Sequence, residues 1–118
     1  MSAILLIGKD WPARALIRAQ LLEEGFDVEA HEALDPALAS LESSEILPAL
    51  VLADVSASDD PADDVEQLAA WASQLPVWII AAPSLIRRQT LKGRGFEMIL
   101  FRPVDVGELI EQIKRRLA

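Results

Sequence analysis

The chain has 118 residues, enough for one domain with a real core and too few for two. Apolar residues make up 52 % of it, which excludes a disordered chain. A formal charge of −8 argues against non-specific attraction to nucleic acid or to acidic membranes, and the absence of cysteine excludes disulfides, thiolate metal sites and a cysteine nucleophile. His31 is the one histidine, so a multi-histidine zinc site is excluded as well.

Ala3 to Ile7 reads as an apolar strand. The opening run, Met1 to Ile7, has no basic flank and stops at Gly8, so it reads neither as a leader nor as a membrane span. A helix is predicted over Pro12 to Glu24, with apolar residues at Ala15, Leu16, Ala19 and Leu22 and Gly25 as its stop. Phe26 to Ala30 alternates apolar and acidic residues, as a half-exposed strand near a sheet edge does. Asp35 is expected to cap the next helix, with Pro36 in its first turn and Leu38 and Leu41 on one face. Ala49 to Asp54 is a fully apolar strand that ends in a carboxylate. Asp60-Pro61 opens a third helix through Val65, Leu68, Ala69 and Ala72, with Asp63 and Asp64 in the turn where the helix dipole favours acid. Val77 to Ala81 is a fourth strand, and Ser84 to about Lys92 a fourth helix bounded by Gly93 and Gly95. Phe96 to Phe101 is a fifth strand. Asp105 caps a last helix that buries Val106, Leu109, Ile110, Ile113 and Leu117, with Lys114, Arg115 and Arg116 in its last turn.

Five strands alternating with five helices over short connections give an α/β fold with a parallel sheet covered on both faces. We expect a single doubly wound, flavodoxin-like domain over residues 1–118, of strand order 2-1-3-4-5, with no output domain after the last helix. Such sheets bind ligands beyond the carboxyl ends of their strands, which makes Asp54 the leading site residue. Charge is uneven along the chain. Residues 1–60 hold three Lys/Arg against twelve Asp/Glu, and residues 61–118 hold eight against seven.

The ordered set Ile4 to Ile7, Leu21 to Val28, Leu50 to Asp54, Pro76 to Ile80 and Phe101 to Asp105 resembles the receiver domain of two-component response regulators, over essentially the whole chain. The resemblance implies that Asp54 stands at the phosphoacceptor position. It also implies an acidic pair after the first strand to hold Mg²⁺, a hydroxyl ending the fourth strand and a lysine ending the fifth, the last two binding phosphoryl oxygens. This chain departs at each of them. Gly8-Lys9 replaces the acidic pair, with Asp10 one residue later; Ala81 replaces the hydroxyl; and Arg102 replaces the lysine, followed by the retained Pro103.

The expected pocket is therefore Gly8, Lys9, Asp10, Ala81, Arg102 and Pro103 around Asp54. Lys9 either reaches Asp54 as a built-in cation or points to solvent. Arg102 either clamps a phosphate or, as we expect, pairs with Asp54 or Asp10. By resemblance, the Arg102-Pro103 bond is a candidate cis peptide. No cofactor is expected; a Mg²⁺ ion, if held, falls to Asp10, Asp54 and water.

The expected function is an atypical, phosphorylation-independent receiver-like module in the cytoplasm, acting by protein–protein interaction and without enzymatic turnover. Its partner is a histidine kinase or another signalling protein, or a second copy through the face of the fourth helix, fifth strand and fifth helix. The alternatives are a phosphoacceptor receiver using Asp54 and Mg²⁺, and a flavodoxin-like small-ligand binder. Three further features read as structural. The Asp59, Asp60, Asp63, Asp64 run lacks the glycine and spacing of a calcium loop. His31 is a loop histidine. Trp11 packs near the pocket, while Trp71 and Trp78 are core or half-buried.

Overall fold

A computed structural model describes residues 3–45 and 47–118; Met1 and Ser2, at the head of the opening apolar run, lie outside the described residues. The strands are β1 (Ala3–Gly8), β2 (Asp27–His31), β3 (Leu50–Asp54), β4 (Val77–Ala81) and β5 (Met98–Phe101). All pair in parallel, in the order β2-β1-β3-β4-β5. The helices are α1 (Trp11–Glu23), α2 (Leu34–Ser43), α3 (Pro61–Ala72), α4 (Arg88–Leu91) and α5 (Val106–Leu117).

Strand periodicity divides the core in two. Ile4, Leu6, Leu50, Leu52, Trp78 and Ile80 pack on one face with Ile17 and Leu21 of α1 and with Leu109, Ile110 and Ile113 of α5. Their neighbours Leu5, Ile7, Val51, Ala53, Val77 and Ile79 pack on the other face with α2, α3 and Leu91 of α4. The central strands β3 and β4 are buried throughout, which is why they read as unbroken apolar runs. β2 is an edge strand with alternating exposure, as its sequence predicts.

Three helices begin on an aspartate whose side chain accepts a backbone N–H of the first turn: Asp10 from Ala13, Asp60 from Asp63 and Asp105 from Glu108. Gly25 ends α1 at φ 89°. Its N–H donates to the Leu22 carbonyl while the Phe26 N–H reaches Leu21, a closure that favours glycine.

Four expectations are corrected. α2 starts at Leu34, so Asp35 lies inside its first turn and the cap is Ala33, which makes no side-chain hydrogen bond. Burial of Leu34, 4 % exposed, draws the helix start forward. α4 spans four residues rather than nine. Ile86 and Leu91 alone anchor the segment and Leu85 turns outward, too little apolar surface to sustain a longer helix. In α1 the buried residues are Ile17 and Leu21, while Leu16 and Leu22 of the apolar set face solvent. His31 is the last residue of β2 rather than a loop residue, with Nε2 3.0 Å from Oε2 of Glu29.

Candidate functional site at the end of β3

Asp54 is the buried charged residue among the described residues, 8 % exposed at the carboxyl end of the central strand β3. Register places it beside Gly8 of β1 and Ile80 of β4. A Cβ on Gly8 would lie 3.3 Å from the Asp54 Cβ, so the glycine gives Asp54 its room.

Each carboxylate oxygen of Asp54 has a partner. Oδ1 accepts the backbone N–H of Ser56 at 2.9 Å, and Oδ2 accepts Nη2 of Arg102 at 2.6 Å. The second arm of the same guanidinium, Nη1, lies 2.8 Å from Oδ2 of Asp10. Asp10 Oδ1 accepts the Ala13 N–H in capping α1. One planar fork thus spans two carboxylates from different elements, a geometry that a lysine ammonium does not match. Burial pushes the Arg102 pKa down, but Asp54 and then Asp10 outweigh it, so the net shift is upward and the fork stays charged.

Arg102 is placed by β5, which ends at Phe101. Its own N–H donates to the Ala81 carbonyl at 3.0 Å, and the Arg102-Pro103 bond is cis, as the resemblance implies. Ala81 is fully buried and brings a methyl group, not a hydroxyl, to the end of β4. The structure therefore brings together Gly8, Asp10, Asp54, Ala81 and Arg102, with Pro103 on the rim.

Lys9 does not join them. Its Nζ pairs with Oδ1 of Asp59 at 2.5 Å in an exposed bridge, so of the two arrangements open to it the outward one holds. Trp11, expected to pack, is 67 % exposed. Sequence reasoning missed Ser56, Asp59 and Arg14, whose guanidinium donates to the Gly8 carbonyl. The signal for Ser56 was present, since an aspartate commonly accepts the N–H two residues on.

On the far side of Asp54 lies a cavity of ≈190 Å³, lined by Ile7, Leu34, Val55, Ser58, Asp60 and Asp64 among others. Burial raises the Asp64 carboxyl above its usual range; the Ser58 hydroxyl, 2.5 Å from its Oδ2, opposes that, and Asp63, Asp60 and Asp35 add to it. A carboxylate raised on folding disfavours the folded state above its folded pKa and is relieved as pH falls towards the unfolded value near 3.8. Asp64→Asn is therefore expected to raise the melting temperature at pH 7, with the gain shrinking as pH is lowered to 4. A gain that grows on acidification would contradict the assignment.

Mg²⁺ does not fit these residues as arranged. No group of three or more carboxylate or imidazole ligands converges among the described residues, and both Oδ2 atoms that could face a metal hold Arg102 instead. A phosphate loop for a flavodoxin-like ligand does not fit either. The Asp10 carboxylate occupies the α1 start, where a phosphate would sit, and accepts the Ala13 N–H there.

No protein-family model matches the sequence, and no curated protein matches it. Solved structures do. A response regulator receiver protein from Burkholderia phymatum superposes with a TM-score of 0.81 at 21 % identity, over 99 % of this chain and 95 % of that one. The chain has the response-regulator receiver fold. A receiver domain protein from Clostridium thermocellum gives a TM-score of 0.80 at 17 % identity, over 99 % of this chain and 94 % of that one. NtrX from Brucella abortus gives 0.77 at 25 % identity; the match covers 99 % of this chain and 26 % of NtrX, so this chain spans about a quarter of that protein's length. In the receiver fold, β3 carries Asp54 at its carboxyl end, where the sequence resemblance puts the phosphoacceptor position. No helix among the described residues is long and apolar enough to cross a membrane.

Proposed function

We propose that this chain is an atypical receiver module of two-component signalling, working in the cytoplasm by binding a protein partner, with no turnover of its own and no need for phosphorylation. The observation that carries this reading is the Arg102 fork across Asp54 and Asp10. A cation supplied by the chain stands between the two carboxylates a metal would need, so the charge at the strand end is neutralised without an ion. The partner is a histidine kinase or another signalling protein. The basic face of α4, β5 and α5 favours an acidic partner surface: Arg87, Arg88 and Arg115 are exposed there, and Arg88 lies over the Phe101 ring at 4.9 Å. A second copy at that face would set like charges together.

One observation favours the alternative, phosphorylation of Asp54. Lys9 turns away to Asp59 and leaves no ammonium beside the Asp54 carboxylate. Incubation with acetyl phosphate and MgCl₂, followed by intact-mass analysis, separates the two. We expect no phosphoryl adduct on the native chain. An adduct that appears on it and is lost in Asp54→Asn would sink the phosphorylation-independent reading.

A further inference from the structure

The face of α1 turned away from the sheet is apolar. Trp11 is 67 % exposed, Leu16 48 % and Leu22 42 %. Ala19 is exposed beside them and Ala15 half-buried. Ile17 and Leu21 already anchor the helix to the core, so this is a second apolar stripe left exposed among the described residues. The stripe has heptad order, with Ala19 at a and Ala15 and Leu22 at d. Trp11 and Arg18 then fall at g, and Leu16 and Glu23 at e. Arg18 and Glu23 are exposed, and neither side chain makes a hydrogen bond or ion pair among the described residues.

We propose that this face pairs with the same face of a second copy, α1 beside α1, parallel about a two-fold axis. In a parallel helix pair each g position meets the e position five residues on in the partner. That sets Trp11 against Leu16 of the other copy and Arg18 against Glu23 of the other copy. The two-fold repeats both contacts on the opposite flank. Apolar thus meets apolar and cation meets anion at every flanking position. An antiparallel pair sets g against g and e against e, which crowds the arginines onto one flank and places Glu23 against Leu16. The order of charges along α1 therefore selects both the occupant and its direction. Alanines at the seam allow helix axes to approach to about 8 Å. A 13-residue helix is only about 20 Å long, and one such face falls short of the ~800 Å² per partner of a standard interface. The pairing is accordingly weak and concentration-dependent. It draws on none of the pocket chemistry and stands or falls independently of it.

Sedimentation equilibrium of the full chain, from micromolar to millimolar concentration, tests the proposal. We expect a reversible dimer. Arg18→Glu and Glu23→Arg should each weaken it about fivefold, because both cross-pairs turn from attraction to repulsion. An equimolar mixture of the two variants should recover native affinity through a heterodimer, and Leu22→Lys should abolish association. Orientation follows from crosslinking, since the chain has no cysteine of its own. In the parallel pair residue 19 faces its own copy, so Ala19→Cys alone should oxidise to a linked dimer. A monomer at every concentration, a dimer indifferent to Leu22→Lys, or crosslinking only when Ala15→Cys is mixed with Ala19→Cys would each overturn the proposal.

Discussion

Arg102→Ala is expected to lower the unfolding free energy by about 2 kcal/mol, measured by urea denaturation followed through tryptophan emission. Removing one partner of a fully buried ion pair costs about 3–5 kcal/mol, because the remaining charge is left in a poor solvent. Here the Arg102 side chain is 34 % exposed, and water reaching Asp54 through the vacated space screens part of that penalty. The loss should therefore exceed a surface bridge and fall short of a sealed one. Asp54→Asn in the Arg102→Ala background removes the stranded charge, and the double variant should recover part of the lost stability. Coupling between the two positions of about 1 kcal/mol or more is expected, and strict additivity would show that the fork does not hold the pocket.

Trp78→Ala is expected to cost more, about 3–5 kcal/mol, since it empties the largest fully buried side chain from the α1–α5 side of the sheet. Trp78 also spends its one polar atom well: Nε1 donates to Oε2 of Glu97 at 2.7 Å, and the same oxygen accepts Nε of Arg116 at 2.8 Å. Arg116 chiefly, and then Trp78, hold the Glu97 carboxyl below its usual range against the opposing effect of burial. A carboxylate lowered on folding contributes stability above its unfolded value near 4.5, and that contribution is lost as pH falls through the folded pKa. Trp78→Phe keeps most of the volume and leaves Glu97 paired with Arg116, so its cost should stay near 1–2 kcal/mol. Equal denaturation midpoints for Trp78→Ala and Trp78→Phe would refute the packing account.

The fold was legible because the strongest sequence signals here are long-range in consequence and local in form. Unbroken apolar runs from Leu50 to Ala53 and from Val77 to Ala81 announce buried parallel strands, and Asp60 and Asp105 announce helix starts. Sequence reasoning faltered where two faces of one helix were both apolar. In α1, Ala15, Leu16, Ala19 and Leu22 compete with Ile17 and Leu21 for the core, and periodicity has no means of choosing between two stripes of similar strength. In the pocket, residue identities narrowed Arg102 to Asp54 or Asp10. The structure shows that it takes both, because a guanidinium has two arms and the cap of α1 stands within reach of the end of β3. Lys9 was undecidable from sequence, since its long stem reaches partners on either side.

The Arg102 fork also joins parts of the chain with very different standing in the sheet. β5 is an edge strand, held on one side alone, and such strands open more readily than those at the centre. Its last side-chain anchor runs back across β4 to the innermost strand and to the first helix. Displacing Arg102 along with the end of β5 therefore has to break the contacts that neutralise Asp54 and Asp10. Protection of the β5 amides from solvent exchange is thus a gauge of whether Asp54 is held or released.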